Sequence, residues 1–149
     1  MSDLRELYQE IILDHNRSPR NFGALEDSNR SAKGHNPLCG DVVTIYMLIS
    51  NGVVEKVHFE GKGCAISIAS ASIMTELVAG KTESEANALF KTFHNFVAGD
   101  DLIELDDGLE ELEVLAGVRD FPMRVKCATL AWHSMASALN NDSATVATE

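Results

Sequence analysis

The sequence predicts an α+β fold: a small antiparallel sheet of about three strands packed against several helices. Three observations lead there. Strand formers concentrate between residues 41 and 60 around Asn51-Gly52, a strong hairpin signal. From residue 65 onward the pattern turns helical and stays so. Ahead of both, Leu4, Tyr8, Ile11, Ile12 and His15 recur at helical spacing.

In chain order, residues 3–16 read as an amphipathic helix, broken by the stretch from Asn16 to Gly23 with Pro19. A strand over residues 30–36 is the weakest of the three strand signals. Residues 41–49 are rich in Val, Ile and Tyr, and Val53 to Glu60 alternates as the return strand. Ala65 to Ala79 is small or apolar almost all round, so it reads as a buried helix that Gly80 stops. Thr82 and Glu85 open another helix to about Ala98. Gly99 to Glu113 carries eight acidic residues and is expected to be a solvated excursion with a short helix after it. Arg124 to Leu139 forms the last helix. Residues 1–139 are thus expected to form one domain, and the polar residues 140–149 a disordered tail.

The chain has 149 residues and a formal net charge of −11, from 12 basic and 23 acidic side chains. That balance argues against nucleic acid or an anionic membrane as the main partner. There is no apolar run of about 18 residues for a membrane span. The stretch Met1 to Glu6 lacks the basic start and apolar run of a secretory signal, so a cytoplasmic location is expected.

Three cysteines stand out: Cys39, Cys64 and Cys127. An odd number cannot all pair within one chain, and the spacings match no small disulfide scaffold. Cys39 lies in Asn36-Pro37-Leu38-Cys39-Gly40-Asp41, a turn in which Gly40 lets neighbouring side chains face one point. Cys64 follows Gly61-Lys62-Gly63 at a predicted helix N-terminus, where the dipole favours thiolate. Cys127 has Arg124 three residues earlier and Lys126 beside it. Free cysteines often simply pack in cores. Alternatively, the three thiolates with the Asp41 carboxylate complete a tetrahedral zinc set. Asp41 fits two roles, ligand or turn residue. Gly61-Lys62-Gly63 lacks the ending of a phosphate loop and is also an ordinary strand-to-helix connection. Of the histidines, His15 reads as packed, His58 and His94 have no neighbouring ligand candidates, His133 turns away from the cysteine face, and His35 is a minor candidate near Cys39.

The segments Asn36 to Asp41, Gly61-Lys62-Gly63-Cys64-Ala65-Ile66-Ser67 and Arg124-Val125-Lys126-Cys127-Ala128-Thr129-Leu130-Ala131-Trp132 resemble the three motifs of the U-type iron–sulfur cluster assembly proteins. Leu7-Tyr8 to Asn21-Phe22-Gly23 is similar too, so the resemblance covers nearly the whole chain and implies an IscU-like fold. Within that superfamily the chain resembles the SufU branch. The IscU branch carries Leu-Pro-Pro-Val-Lys and a histidine just before its last cysteine, where this chain has Phe121-Pro122-Met123-Arg124-Val125-Lys126. The resemblance implies zinc on Cys39, Asp41, Cys64 and Cys127. It implies Cys39 as acceptor of persulfide sulfur from a SufS-type cysteine desulfurase, with Arg124 in the third motif, and delivery to downstream iron–sulfur assembly or acceptor proteins. Two other readings use the same residues: a scaffold on which a [2Fe–2S] cluster is built, and a structural zinc module.

Overall fold

The computed structural model describes residues 2–98, 109–140 and 146–147. Helix α1 (Ser2–Arg17) comes first, followed by strands β1 (Arg30–Asn36), β2 (Asp41–Ser50) and β3 (Val53–Lys62). Helices α2 (Ala65–Val78) and α3 (Glu83–Ala98), a 3-10 helix (Glu110–Asp120) and α4 (Pro122–Leu139) follow, and a two-residue strand β4 (Val146–Ala147) closes the order. The sheet order is β3-β2-β1-β4. Both β1–β2 and β2–β3 are antiparallel, and β4 joins the β1 edge in parallel.

The β2–β3 connection is fixed locally. Asn51 and Gly52 both take positive φ, +54° and +77°, as the tightest hairpin turns require. Strict alternation in β2 then buries Val43, Ile45, Met47 and Ile49 on one face and leaves the other half-covered. Helix α4 lies across β1 and β2, α2 packs on β3 and α4, and α1 and α3 cover α2 and α4 in turn. Helix α2 is buried without interruption from Ser67 to Thr75. Of its polar members, Ser70 donates to the Ala128 carbonyl at 2.5 Å and accepts the Trp132 indole N–H at 3.1 Å. Trp132 is fully buried and stacked on Phe93 at 4.5 Å.

The opening of α3 is a reciprocal cap. The Glu85 N–H donates to Thr82 Oγ1 at 3.1 Å, and the Thr82 N–H donates to Glu85 Oε1 at 2.9 Å. These bonds to Thr82 hold the Glu85 carboxyl below the usual range. Helix α4 begins two residues earlier than expected, with Pro122 in its first turn, where proline lacks only an N–H that has no helical partner.

The acidic segment departs from expectation. Residues 99–108 lie outside the described residues, but from Leu109 the chain is not a solvated excursion. Leu112 and Leu115 are fully buried, Val114 and Val118 nearly so. Leu109, Leu112, Leu115 and Val118 recur every third residue, the period of a 3-10 helix, so one edge enters the core while Glu111 and Glu113 stay outside. Of the tail expected to be disordered, residues 141–145 and 148–149 lie outside the described residues. Val146 and Ala147 pair with Gly34 and His35 of β1.

Candidate metal and sulfur site

The register of the first hairpin builds the site. Asn36 ends β1 directly opposite Asp41, the first residue of β2, so the loop 37–40 is a short tip. Asn36 ties it down: its carbonyl accepts the N–H groups of Cys39 (3.2 Å) and Gly40 (2.8 Å), and its Oδ1 accepts that of Leu38 (3.2 Å). Gly40 closes the tip with φ +75°. Cys39 is thereby held on the tip and exposed, while Asp41, one residue into the strand, is fully buried.

Cys64 is the N-cap residue of α2. Its backbone N–H donates to Asp41 Oδ1 at 2.9 Å. Gly63 makes this approach possible, because a Cβ there would overlap Oδ1 and come within 3.1 Å of the Asp41 Cα. Asp41 Oδ2 is buried with no hydrogen-bond partner among the described residues. Cys127, in the second turn of α4, is buried and accepts a hydrogen bond from Asn36 Nδ2 at 3.6 Å.

One ligand atom each from Cys39, Asp41 and Cys127 lies within 4.8 Å of the other two. Cys64 does not join that set of mutually close atoms, but its thiol is near enough to act on Cys127. Burial pushes the Cys127 thiol far above the usual thiol range, and Asp41, Cys39 and Cys64 push it further. The local expectation, that Arg124 and Lys126 favour thiolate at Cys127, is outweighed in the chain alone. Arg124 is exposed in the first turn of α4, and Lys62 is exposed at the end of β3.

The histidines stay apart from this cluster. His35 alternates with Asn36 along β1 and so projects from the opposite face of the sheet. His133 packs edge-on against Phe90 and His94. The Asn21-Phe22-Gly23 motif lines β3 instead: the Gly23 N–H donates to the Phe59 carbonyl, the Phe59 N–H to that of Asn21, and the two phenyl rings meet at 5.2 Å. Two contributors were missed as site residues by sequence reasoning. Asn36 carried a signal, since Ala32, Gly34 and Asn36 alternate inward and an inward asparagine demands partners. Gly63 carried none beyond being a glycine.

The donor set matters chemically. Three sulfurs and a carboxylate, with one carboxylate oxygen buried and unsatisfied, suit a divalent ion that prefers thiolate ligands. Comparison with known proteins agrees. Residues 7–128 match the NifU-like N-terminal domain. The chain belongs to that family. Its members include the zinc-dependent sulfurtransferase SufU of Bacillus subtilis, 42% identical over 137 residues that span 90% of each chain. They also include the iron–sulfur cluster assembly scaffold protein IscU of Streptococcus pyogenes, 40% identical over 93% of this chain and 86% of the relative. The NifU-like N-terminal structure from Brucella abortus superposes with a TM-score of 0.81 at 26% identity, covering 93% of this chain and 96% of that one. The family is one of iron–sulfur cluster assembly, and its fold is the antiparallel sheet and helical layer described above. No helix among the described residues is long and apolar enough to cross a membrane.

Proposed function

We propose that this chain is a zinc-dependent sulfurtransferase of iron–sulfur cluster assembly that accepts persulfide sulfur from a SufS-type cysteine desulfurase. The observation that carries the reading is the buried Asp41 carboxylate, whose Oδ2 has no hydrogen-bond partner among the described residues and lies beside the Cys39 and Cys127 sulfurs. A buried carboxylate oxygen left unsatisfied is costly unless something positive completes it. Cys39, Asp41, Cys64 and Cys127 are the proposed holders of zinc. Zinc bound there supplies the positive charge that keeps these thiols as thiolates.

The chain's own residues divide the remaining work. Cys39 is the exposed thiol of the three and sits on a hairpin tip, so a partner's active-site cysteine can reach it without unwinding a helix. Its thiolate attacks the terminal sulfur of the desulfurase persulfide. A new S–S bond forms at Cys39, the partner's S–S bond breaks, and the electron pair leaves with the partner's cysteine as thiolate. Nothing is oxidised or reduced overall. Cys64 and Cys127 are held by α2 and α4, which suits ligands that stay in place. Arg124, one turn before Cys127, adds a permanent cation on the exposed first turn of α4. The sulfur then passes to downstream assembly or acceptor proteins. Unpaired thiols suit a reducing cytoplasm.

A scaffold reading is favoured by the 40% identity to the Streptococcus scaffold protein, and thiolates hold iron as readily as zinc. The two readings separate experimentally. Protein purified anaerobically and analysed for metal should contain zinc and be colourless. Incubation with desulfurase and cysteine, followed by mass mapping, should then place added sulfur on Cys39. Iron with visible colour as isolated would favour the scaffold. Persulfide found first on Cys127, with Cys39→Ser labelled at the wild-type rate, would reassign the acceptor.

A further inference from the structure

Away from the cysteines, three side chains on three elements converge: His15 on α1, Glu76 on α2 and Glu111 on the 3-10 helix. One ligand atom from each lies within 4.8 Å of the other two. This is more than a patch of surface acids, because His15 is 97% buried, with 3% of its surface exposed. Its Nδ1 lies 2.7 Å from Ser72 Oγ, which also accepts the Arg20 backbone N–H at 2.8 Å. Nε2, on the other edge of the ring, lies 3.9 Å from Glu111 Oε2. That is too long for a hydrogen bond in either tautomer. Among the described residues, Nε2 has no hydrogen-bond partner.

In the tautomer that carries its proton on Nδ1 and donates it to Ser72 Oγ, the Nε2 lone pair is turned toward Glu111 and is free to ligate. Metal-binding histidines are held in this way, one nitrogen fixed by a hydrogen bond and the other free to ligate. Burial and the nearby Arg20 both lower the proton affinity of the ring, which leaves it neutral. Arg20 stands beside the cluster: its guanidinium is bound to Asp14 at 2.7 Å and its charge also reaches Glu76 and Glu111, so it offsets part of their charge without bridging the three donors. Glu76 and Glu111 are exposed, which provides a route in from solvent.

We propose that His15, Glu76 and Glu111 form a second metal site, of nitrogen and oxygen donors, that takes a divalent first-row ion of the Mn²⁺ or Fe²⁺ kind. Two carboxylates balance a divalent charge, and one imidazole with two carboxylates is a harder set than the cysteine cluster. The two sites therefore select different ions. The site also gives a role to part of the acidic segment: Glu111 would tie the 3-10 helix to α1 and α2, next to the Tyr8 hydroxyl that donates to Glu113 Oε2 at 3.2 Å.

Mn²⁺ is the probe, because it binds thiolates weakly and its aqueous electron paramagnetic resonance signal is lost on binding. The protein is used as purified, with whatever metal its cysteines hold. Titration should show one saturable Mn²⁺ per chain. Glu76→Gln and Glu111→Gln replace exposed side chains and keep the fold, and each removes a proposed ligand, so each should weaken that binding by at least about tenfold, the least that loss of even a residue behind the ligands costs. The metal content of the cysteine site should not change in either variant. Absence of saturable Mn²⁺ binding to the wild-type chain overturns the proposal. So does equal affinity in the wild type and both variants, which would mean diffuse attraction to an acidic surface.

Discussion

Replacing Asp41 by asparagine should change stability in opposite directions depending on whether metal is bound. Asp41 is fully buried at the start of β2; Oδ1 accepts the Cys64 N–H at 2.9 Å and Oδ2 is unsatisfied. In metal-free protein the carboxylate otherwise meets only the weak donor of the protonated Cys127 thiol, and an oxygen left short of a full partner costs about 1–3 kcal/mol. Asparagine keeps an acceptor for the Cys64 N–H and removes the acceptor-only oxygen, its amide lying near sulfurs that can accept weakly. The metal-free variant should therefore match the wild type or gain up to several degrees in Tm, at about 2–4 °C per kcal/mol for a chain of this size. With zinc saturating, the variant lacks a charged ligand. A tenfold loss of affinity removes about 1.4 kcal/mol of stabilisation, a fall of roughly 3–6 °C. Thermal unfolding with and without zinc, together with chelator competition, measures both halves. Asp41→Ala is the contrast: it also removes the acceptor of the Cys64 N–H and should lower both states by about 1 kcal/mol. If Asp41→Asn competes for zinc as well as the wild type, or shifts Tm the same way in both states, the carboxylate is a turn residue only.

Three further outcomes are expected. Gly63→Ala drives a methyl into the Asp41 carboxylate and backbone, so it should lower metal-free stability by about 1–3 kcal/mol and reduce metal retention; an unchanged midpoint and metal content would refute the close approach. Asn36→Ala removes the acceptor for the Leu38 N–H and the donor to Cys127, and chemical denaturation should show a loss of about 1–2 kcal/mol. His133, packed from α4 against Phe90 and His94 of α3, has its pKa lowered first by burial and then by His94, so the unfolded chain takes up its proton before the folded one does. Its contribution is intact above the ordinary histidine pKa of about 6.5 and falls as pH drops toward the lower folded value. The decline of Tm between about pH 6.5 and 5 should accordingly be shallower in His133→Gln, and an identical pH profile would count against the assignment.

What sequence could reveal here depended on how locally each feature is determined. Asn51-Gly52, the alternation of β2 and the Thr82–Glu85 cap are decided within a few residues, and the hairpin and α3 were legible for that reason. A short helix after Glu113 was expected, but its start at Glu110 and its buried edge were obscured by the acidic residues there, although Leu109, Leu112, Leu115 and Val118 keep a period of three. The cysteine cluster lies between these cases. Its donors could be named from sequence, but their closeness depends on the Asn36–Asp41 register, on a bare Gly63 and on α4 lying across β1. The electrostatics show the gap most clearly. Read locally, Arg124 three residues before Cys127 argues for a thiolate. In the fold, Arg124 stands in water, where salt screens its charge within about 10 Å. Cys127 is buried among two more sulfurs and a carboxylate, and burial alone can move a pKa by several units. The larger effect wins and keeps the thiol protonated in the chain alone. Deprotonating such a set together takes a positive charge placed among the donors, which an exposed arginine cannot supply and a bound divalent ion can.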